Sequence, residues 1–144
     1  SVGSVKLADA NPNSPPLIDP AFLKDERDLD TMLAGVKQAQ QIMQAPSFDA
    51  HRGKALYAGA SNDDEELKED IRNRADTIYH PVGTCKMGPD SDPNAVVDQR
   101  LRVRGIKSLR VIDASIMPKI VSGNTNAPSI MIGEKGAHMI LEDA

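Results

Sequence analysis

The apolar positions fall into a few short, separated groups, and their spacing changes along the chain. Val5 and Leu7 alternate with Ser4, Lys6 and Ala8, the period of a short strand, although few partners for it lie nearby in sequence. Residues 9–20 (DANPNSPPLIDP) hold four prolines and read as loop. Leu29, Met32, Leu33, Val36, Ala39, Ile42 and Met43 then mark one face of a helix. Asp25, Glu26 and Asp28 crowd its start, where the dipole favours negative charge, and Pro46 stops it. Residues 47–60 show no period and read as irregular. Ser61-x-x-Asp64 is a loose capping-box pattern before a second helix, with Leu67, Ile71 and Ala75 on one face and its end near 75–77. Residues 77–80 read as a short strand delivering His80, and 88–94 (GPDSDPN) as a turn-rich loop. Val96–Val97, Leu101–Val103 and Leu109–Ile112 are strand candidates, with Gly105 in a turn. A last helix starts near Pro128 and runs to about Leu141 through Ile130, Met131, Ala137, Met139 and Ile140. The pattern predicts an α+β fold with short strands and two to three amphipathic helices.

Composition narrows this picture. A chain of 144 residues has the size of one domain and can bury a sizeable core. With two Tyr, two Phe and no Trp, that core must rest on Leu, Ile, Val, Met and Ala. A net charge of -4 argues against nucleic acid, which needs clustered Lys and Arg. The lone Cys85 cannot form an internal disulfide, which fits a reducing compartment. No apolar run is long enough to span a membrane, and SVGSVKLADA lacks the basic and apolar regions of a signal peptide. The expected location is cytoplasmic or membrane-peripheral.

Several residues carry candidate chemistry. Histidine is the residue type suited to proton transfer near neutral pH; at His80, Pro81 favours an extended backbone and Gly83 permits a tight turn behind it. That mount suits an imidazole acting as a base, and from spacing alone it suits still better a histidine that completes a buried hydrogen bond. Asn124 follows Gly123, and its amide can donate to an alkoxide oxygen without titrating. Asn124 and Asn126 are also plain loop or cap residues. If Asn126 or Ala127 opens the last helix, free N–H groups and the positive dipole end face outward there. Asp113 follows the LRVI run beside Ala114 and Ser115, either as a carboxylate close to a cofactor or as a turn-stabilising aspartate. Removing a hydroxyl proton, stabilising the alkoxide and accepting hydride are the demands of alcohol oxidation, and the last requires a cofactor. No metal site is expected. Asp90, Asp92, Asn94 and Asp98 have calcium-loop offsets, but Ala95 and Leu101 stand where that loop needs Gly and Glu. His80 with Cys85 lacks the partners of a zinc site. Arg100, Arg102 and Arg104 alternate and read as the exposed face of a strand.

The runs YHPVGTCKMGPDSDPNAVVD, LRVRGIKSLRVIDASIMP and GNTNAPSIMIGEK, in this order, closely resemble the C-terminal signature region of the glucose–methanol–choline (GMC) oxidoreductases. The similarity is to the choline dehydrogenase and FAD-linked alcohol dehydrogenase branch. It implies an incomplete C-terminal part of a two-domain FAD-dependent fold. Residues 1–78 would end the substrate-binding domain, and 79–144 would belong to the FAD-binding domain. The resemblance implies oxidation of a primary alcohol to an aldehyde, with His80 as base, Asn124 on the substrate oxygen and hydride passing to flavin N5. It places Asn126, Ala127 and Pro128 by the flavin pyrimidine end, and Asp113 and Ala114 near its phosphate or ribityl part. The family's N-terminal Gly-x-Gly-x-x-Gly segment is not in this chain, so weak or absent FAD binding by the chain alone is expected. The implied partners are a small alcohol and that N-terminal region, with self-association through the edge of the opening strand a further expectation. A non-catalytic protein-binding module of related fold, or one half of a split enzyme, are the other readings.

Overall fold

The computed structural model describes residues 1–144, the side chain of Ala58 excepted, and divides them into two units, Ser1–Asp76 and Thr77–Ala144. Its three α-helices and one two-stranded sheet agree with the α+β expectation.

In the first unit, β1 (Ser4–Lys6) pairs antiparallel with β2 (Leu17–Asp19), Val5 opposite Ile18. The stretch read as loop therefore supplies the partner that the opening strand was expected to lack. Side chains turn the chain back: Asp9 accepts from the Asn11 N–H and the Ser14 hydroxyl, and Asn11 accepts from the Asn13 N–H. Pro15, Pro16 and Pro20 flank β2 rather than interrupt it, so its backbone donors remain available.

Helix α1 spans Glu26–Met43, and the Asp25 carboxylate caps it by accepting the Arg27 N–H at 3.0 Å. Helix α2 spans Asp64–Arg74. Its cap is Asp63, which accepts from the Glu65 and Glu66 N–H groups, rather than the expected pairing of Ser61 with Asp64. Ser61 instead accepts from the Asp63 N–H and donates to Glu66. Leu29 and Leu33 of α1 meet Leu67 and Ile71 of α2, with Leu23 and Val36 packed alongside. Met32, Ile42 and Met43, on the same predicted face of α1, are exposed. Between the helices the chain makes two 3-10 turns, Pro46–Phe48 and Tyr57–Ala60. The Arg74 guanidinium lies 3.4 Å from the centre of the Tyr57 ring.

The second unit is mostly loop around a core of Val97, Leu101, Ile116, Met117 and Ile132. The strand candidates shrink to single bridges: Met87 with Val97, Val97 with Val103, and Arg102 with Arg110. Leu101, Gly105 and Ser108 have positive φ, so the chain turns before any run can extend. Residues 77–80 form no strand either, because Tyr79 has φ +63°. Backbone bonds between loops replace ladders, as in Cys85 N–H to Ser115 O at 3.0 Å and Met87 N–H to Ile116 O at 2.8 Å.

Helix α3 (Asn126–Glu142) lies along this core through Ile132 and Met139. Gly136 is buried against Ile112, where a Cβ would collide with the isoleucine. The alternating arginines do not form an exposed strand face. Arg100, Arg102 and Arg110 converge on Asp143 beyond the end of α3, and Arg100 also bonds Glu142 and the Met139 carbonyl. Arg104 turns elsewhere, to Asp90 and the Gly88 carbonyl. Cations at a helix C-terminus complement its dipole, which gives this convergence a physical cause.

Candidate active site

His80 enters the site on an irregular segment. The Thr77 hydroxyl accepts the Tyr79 N–H at 3.1 Å, Tyr79 adopts its left-handed conformation, and Pro81 follows the histidine. Gly83, at φ +87°, turns the chain where a Cβ would stand 3.4 Å from the Met117 carbonyl oxygen. Beyond it, the bonds from Cys85 and Met87 fasten the segment to the 3-10 turn Ala114–Ile116. The result is a half-buried imidazole whose Nδ1 lies 2.9 Å from the Thr125 Oγ1. Among the described residues, Nε2 makes no hydrogen bond and is the ring nitrogen left for a ligand.

Thr125 stands at the N-cap of α3, so this contact ties the histidine to the start of the helix. Asn124 directly precedes Thr125 and is exposed, and the same contact draws its segment beside His80. Asn126 and Ala127 are the first two helical residues and both are exposed. No side chain caps this terminus, and Pro128 in the first turn has no N–H. The Ser129 N–H is satisfied by the Thr125 carbonyl at 3.0 Å. The outward donors of the terminus are therefore the amides of Asn126 and Ala127.

Asp113 is exposed, and its carboxylate accepts the Ser115 N–H at 2.7 Å, capping the short turn. Ala114 is half-buried against the core, and the turn packs on α3. Asp113 and Ala114 thus belong to a turn that packs on α3, but His80 is bonded to neither. Thr125 is the site residue that sequence reasoning missed. Its signal was a hydroxyl residue between two singled-out asparagines at a predicted helix boundary. Among the described residues, no cluster of His, Cys, Asp or Glu could hold a metal ion. Asp92, in the turn with calcium-loop offsets, accepts from Lys86 at 2.7 Å, and this holds its carboxyl below the usual range.

Residues 1–133 match the family model of GMC oxidoreductase. The chain belongs to the GMC oxidoreductase family. It is 52% identical to an alcohol dehydrogenase [acceptor] of Pseudomonas putida, over 98% of this chain and 25% of that protein. It is 48% identical to the mitochondrial choline dehydrogenase of Homo sapiens, over 97% of this chain and 24% of that protein. Among solved structures it is similar to pyridoxine 4-oxidase from Mesorbium loti, with TM-score 0.88, 33% identity, and coverage of 97% of this chain and 27% of that one. An FAD-dependent oxidoreductase from Chaetomium thermophilum also gives TM-score 0.88, at 27% identity over 98% of this chain and 24% of that one. The chain spans about a quarter of the length of the curated relatives it matches.

Proposed function

We propose that this chain is the C-terminal quarter of an FAD-dependent dehydrogenase that oxidises a primary alcohol, choline or an aliphatic one, to an aldehyde. The observation that carries the reading is the bond from His80 Nδ1 to Thr125 at the head of α3. It leaves Nε2 for the substrate and ties the imidazole to a helix start whose free amides would suit the acceptor-rich edge of a flavin. Nε2 takes the hydroxyl proton as the substrate carbon gives up hydride, so the alcohol loses both hydrogens and becomes the aldehyde. The Asn124 amide donates to the oxygen while negative charge develops on it. FAD supplies the hydride acceptor that no side chain here provides.

The fit to FAD is partial. The free N–H groups of Asn126 and Ala127, followed by Pro128, suit one ring edge. Asp113 and Ala114 would stand toward the phosphate or ribityl part, but no glycine-rich phosphate loop exists in these residues. Most of the cofactor's contacts, and the choline or alcohol pocket, would come from the rest of the protein. Residues 1–78 would close the substrate-binding domain and 79–144 the FAD-binding domain. Among the described residues no helix is long and apolar enough to cross a membrane. A cytoplasmic or membrane-peripheral location is the corresponding proposal.

The test is His80→Ala in the full-length protein. Turnover should fall by about 100-fold or more while flavin absorbance is kept. Near-normal turnover would remove His80 from the reaction.

A further inference from the structure

We infer that Thr125 is a positioning residue for His80, its hydroxyl oxygen accepting the Nδ1–H so that Nε2 is the basic nitrogen. The inference rests on the proposed role of His80 and adds the group that selects its tautomer. A neutral imidazole carries one N–H, and the hydrogen bond of one nitrogen decides the state of the other. On this assignment Nδ1–H is donated across the 2.9 Å contact with Thr125 and Nε2 holds the lone pair. When Nε2 gains a proton, the same bond becomes charge-assisted and strengthens.

Thr125 departs from an ordinary cap in ways that fit this use. Threonine at an N-cap usually adopts extended backbone and bonds the N–H of the second or third helical residue. Here Thr125 has φ −78° and ψ −2°, and its side chain makes no capping bond. The third helical residue is Pro128, which has no N–H to offer. The residue is nonetheless held firmly. Its carbonyl accepts both the Ser129 N–H at 3.0 Å and the Ser129 hydroxyl at 2.6 Å. With the backbone held and the hydroxyl spared from capping, Oγ1 is available to the imidazole.

The experiment compares Thr125→Val, Thr125→Ser and His80→Ala in the full-length, FAD-loaded enzyme. Thr125→Val should lower kcat roughly tenfold, the worth of about one hydrogen bond, with KM for the alcohol little changed. Thr125→Ser should restore most of the loss. In enzyme labelled with 15N-histidine, the His80 ring should carry its proton on Nδ1 in the wild type and lose that preference in Thr125→Val. Thr125→Ala carries the same test if the valine variant does not fold. Unchanged ring-nitrogen signals with unchanged kcat would overturn the inference, as would a Thr125→Ser enzyme as impaired as Thr125→Val. Full activity of His80→Ala would sink the base reading instead, and the tautomer of His80 would still be measured independently.

Discussion

In residues 1–76, two helices meet through Leu29, Leu33, Leu67 and Ile71, and each begins at an aspartate that caps its own first turn. In residues 77–144, the five side chains of the core cluster come from loops, a short turn and one helix, and backbone bonds between loops set the geometry. The first unit is assembled from elements that hold themselves together locally. The second is assembled from segments that have shape only because distant segments fix them. His80 and Thr125 are 45 residues apart and belong to the second kind. An imidazole that must meet a ligand needs irregular backbone for its approach, and a fastened loop supplies irregularity without mobility.

Glycine substitutions separate the two plans most sharply. A Cβ at Gly35, inside α1, would meet nothing within 4 Å. Gly35→Ala should therefore stabilise α1 by about 1 kcal/mol, the intrinsic helix preference for alanine. Gly136, inside α3, has the same local preference, but its Cβ would strike Ile112. Ile112 is β-branched and cannot swing aside freely, so Gly136→Ala should destabilise α3 by about 1–3 kcal/mol. Hydrogen exchange of the amides of each helix in the full-length protein reads both effects. A gain at both positions would show that the second unit is packed as loosely as the solvent face of α1.

The same contrast governs what could be read from the sequence. The helices were legible because a period of 3.6 survives in Leu29, Leu33, Leu67 and Ile71 whatever surrounds them. The hairpin was lost among prolines, since three residues between them carry little periodic signal. The strands of the second unit were overread for a different reason. Leu101 and Ser108 adopt positive φ without being glycine, and nothing in their identity announces it. The arginine alternation imitated a strand face, whereas Arg100 and Arg102 turn to Asp143, 43 and 41 residues away, and Arg104 turns to Asp90. His80 stood out because Pro81 and Gly83 surround it, and its bond to Thr125 was invisible because it spans the unit.

A smaller effect tests whether the first unit is as locally held as its caps suggest. Asp63 accepts two N–H groups of the first turn of α2. Asp63→Ala should cost about 1 kcal/mol, confined to the amides of that turn. Loss of protection spreading through α1 as well would mean that the helix pair is a single cooperative unit. Protection unchanged throughout would mean that Ser61, bonded to Glu66, is a sufficient cap by itself.

The smallest expected effect is acid sensitivity at the far end of α3. Bonding to Arg102, with Arg100 beside it, holds the Asp143 carboxyl below its usual range, and bonding to Arg100 does the same for Glu142. A carboxyl depressed in the folded state contributes stability above its unfolded pKa, near 4, and loses it as pH falls through the lower folded value. Exchange of the last-turn amides of α3 should therefore quicken below about pH 4. Salt should weaken the effect, because these ion pairs are solvent-accessible. Asp143→Asn should remove most of the pH dependence, since three arginines share that one carboxylate. The first unit offers the control. Asp25 is also depressed, chiefly by the Arg27 side chain two residues on. Asp25→Asn should alter only the first turn of α1, because its partner is local. Acid fraying that reached the His80 segment while Asp143 lost its proton would show that the arginine cluster supports the whole loop unit, not only the end of one helix.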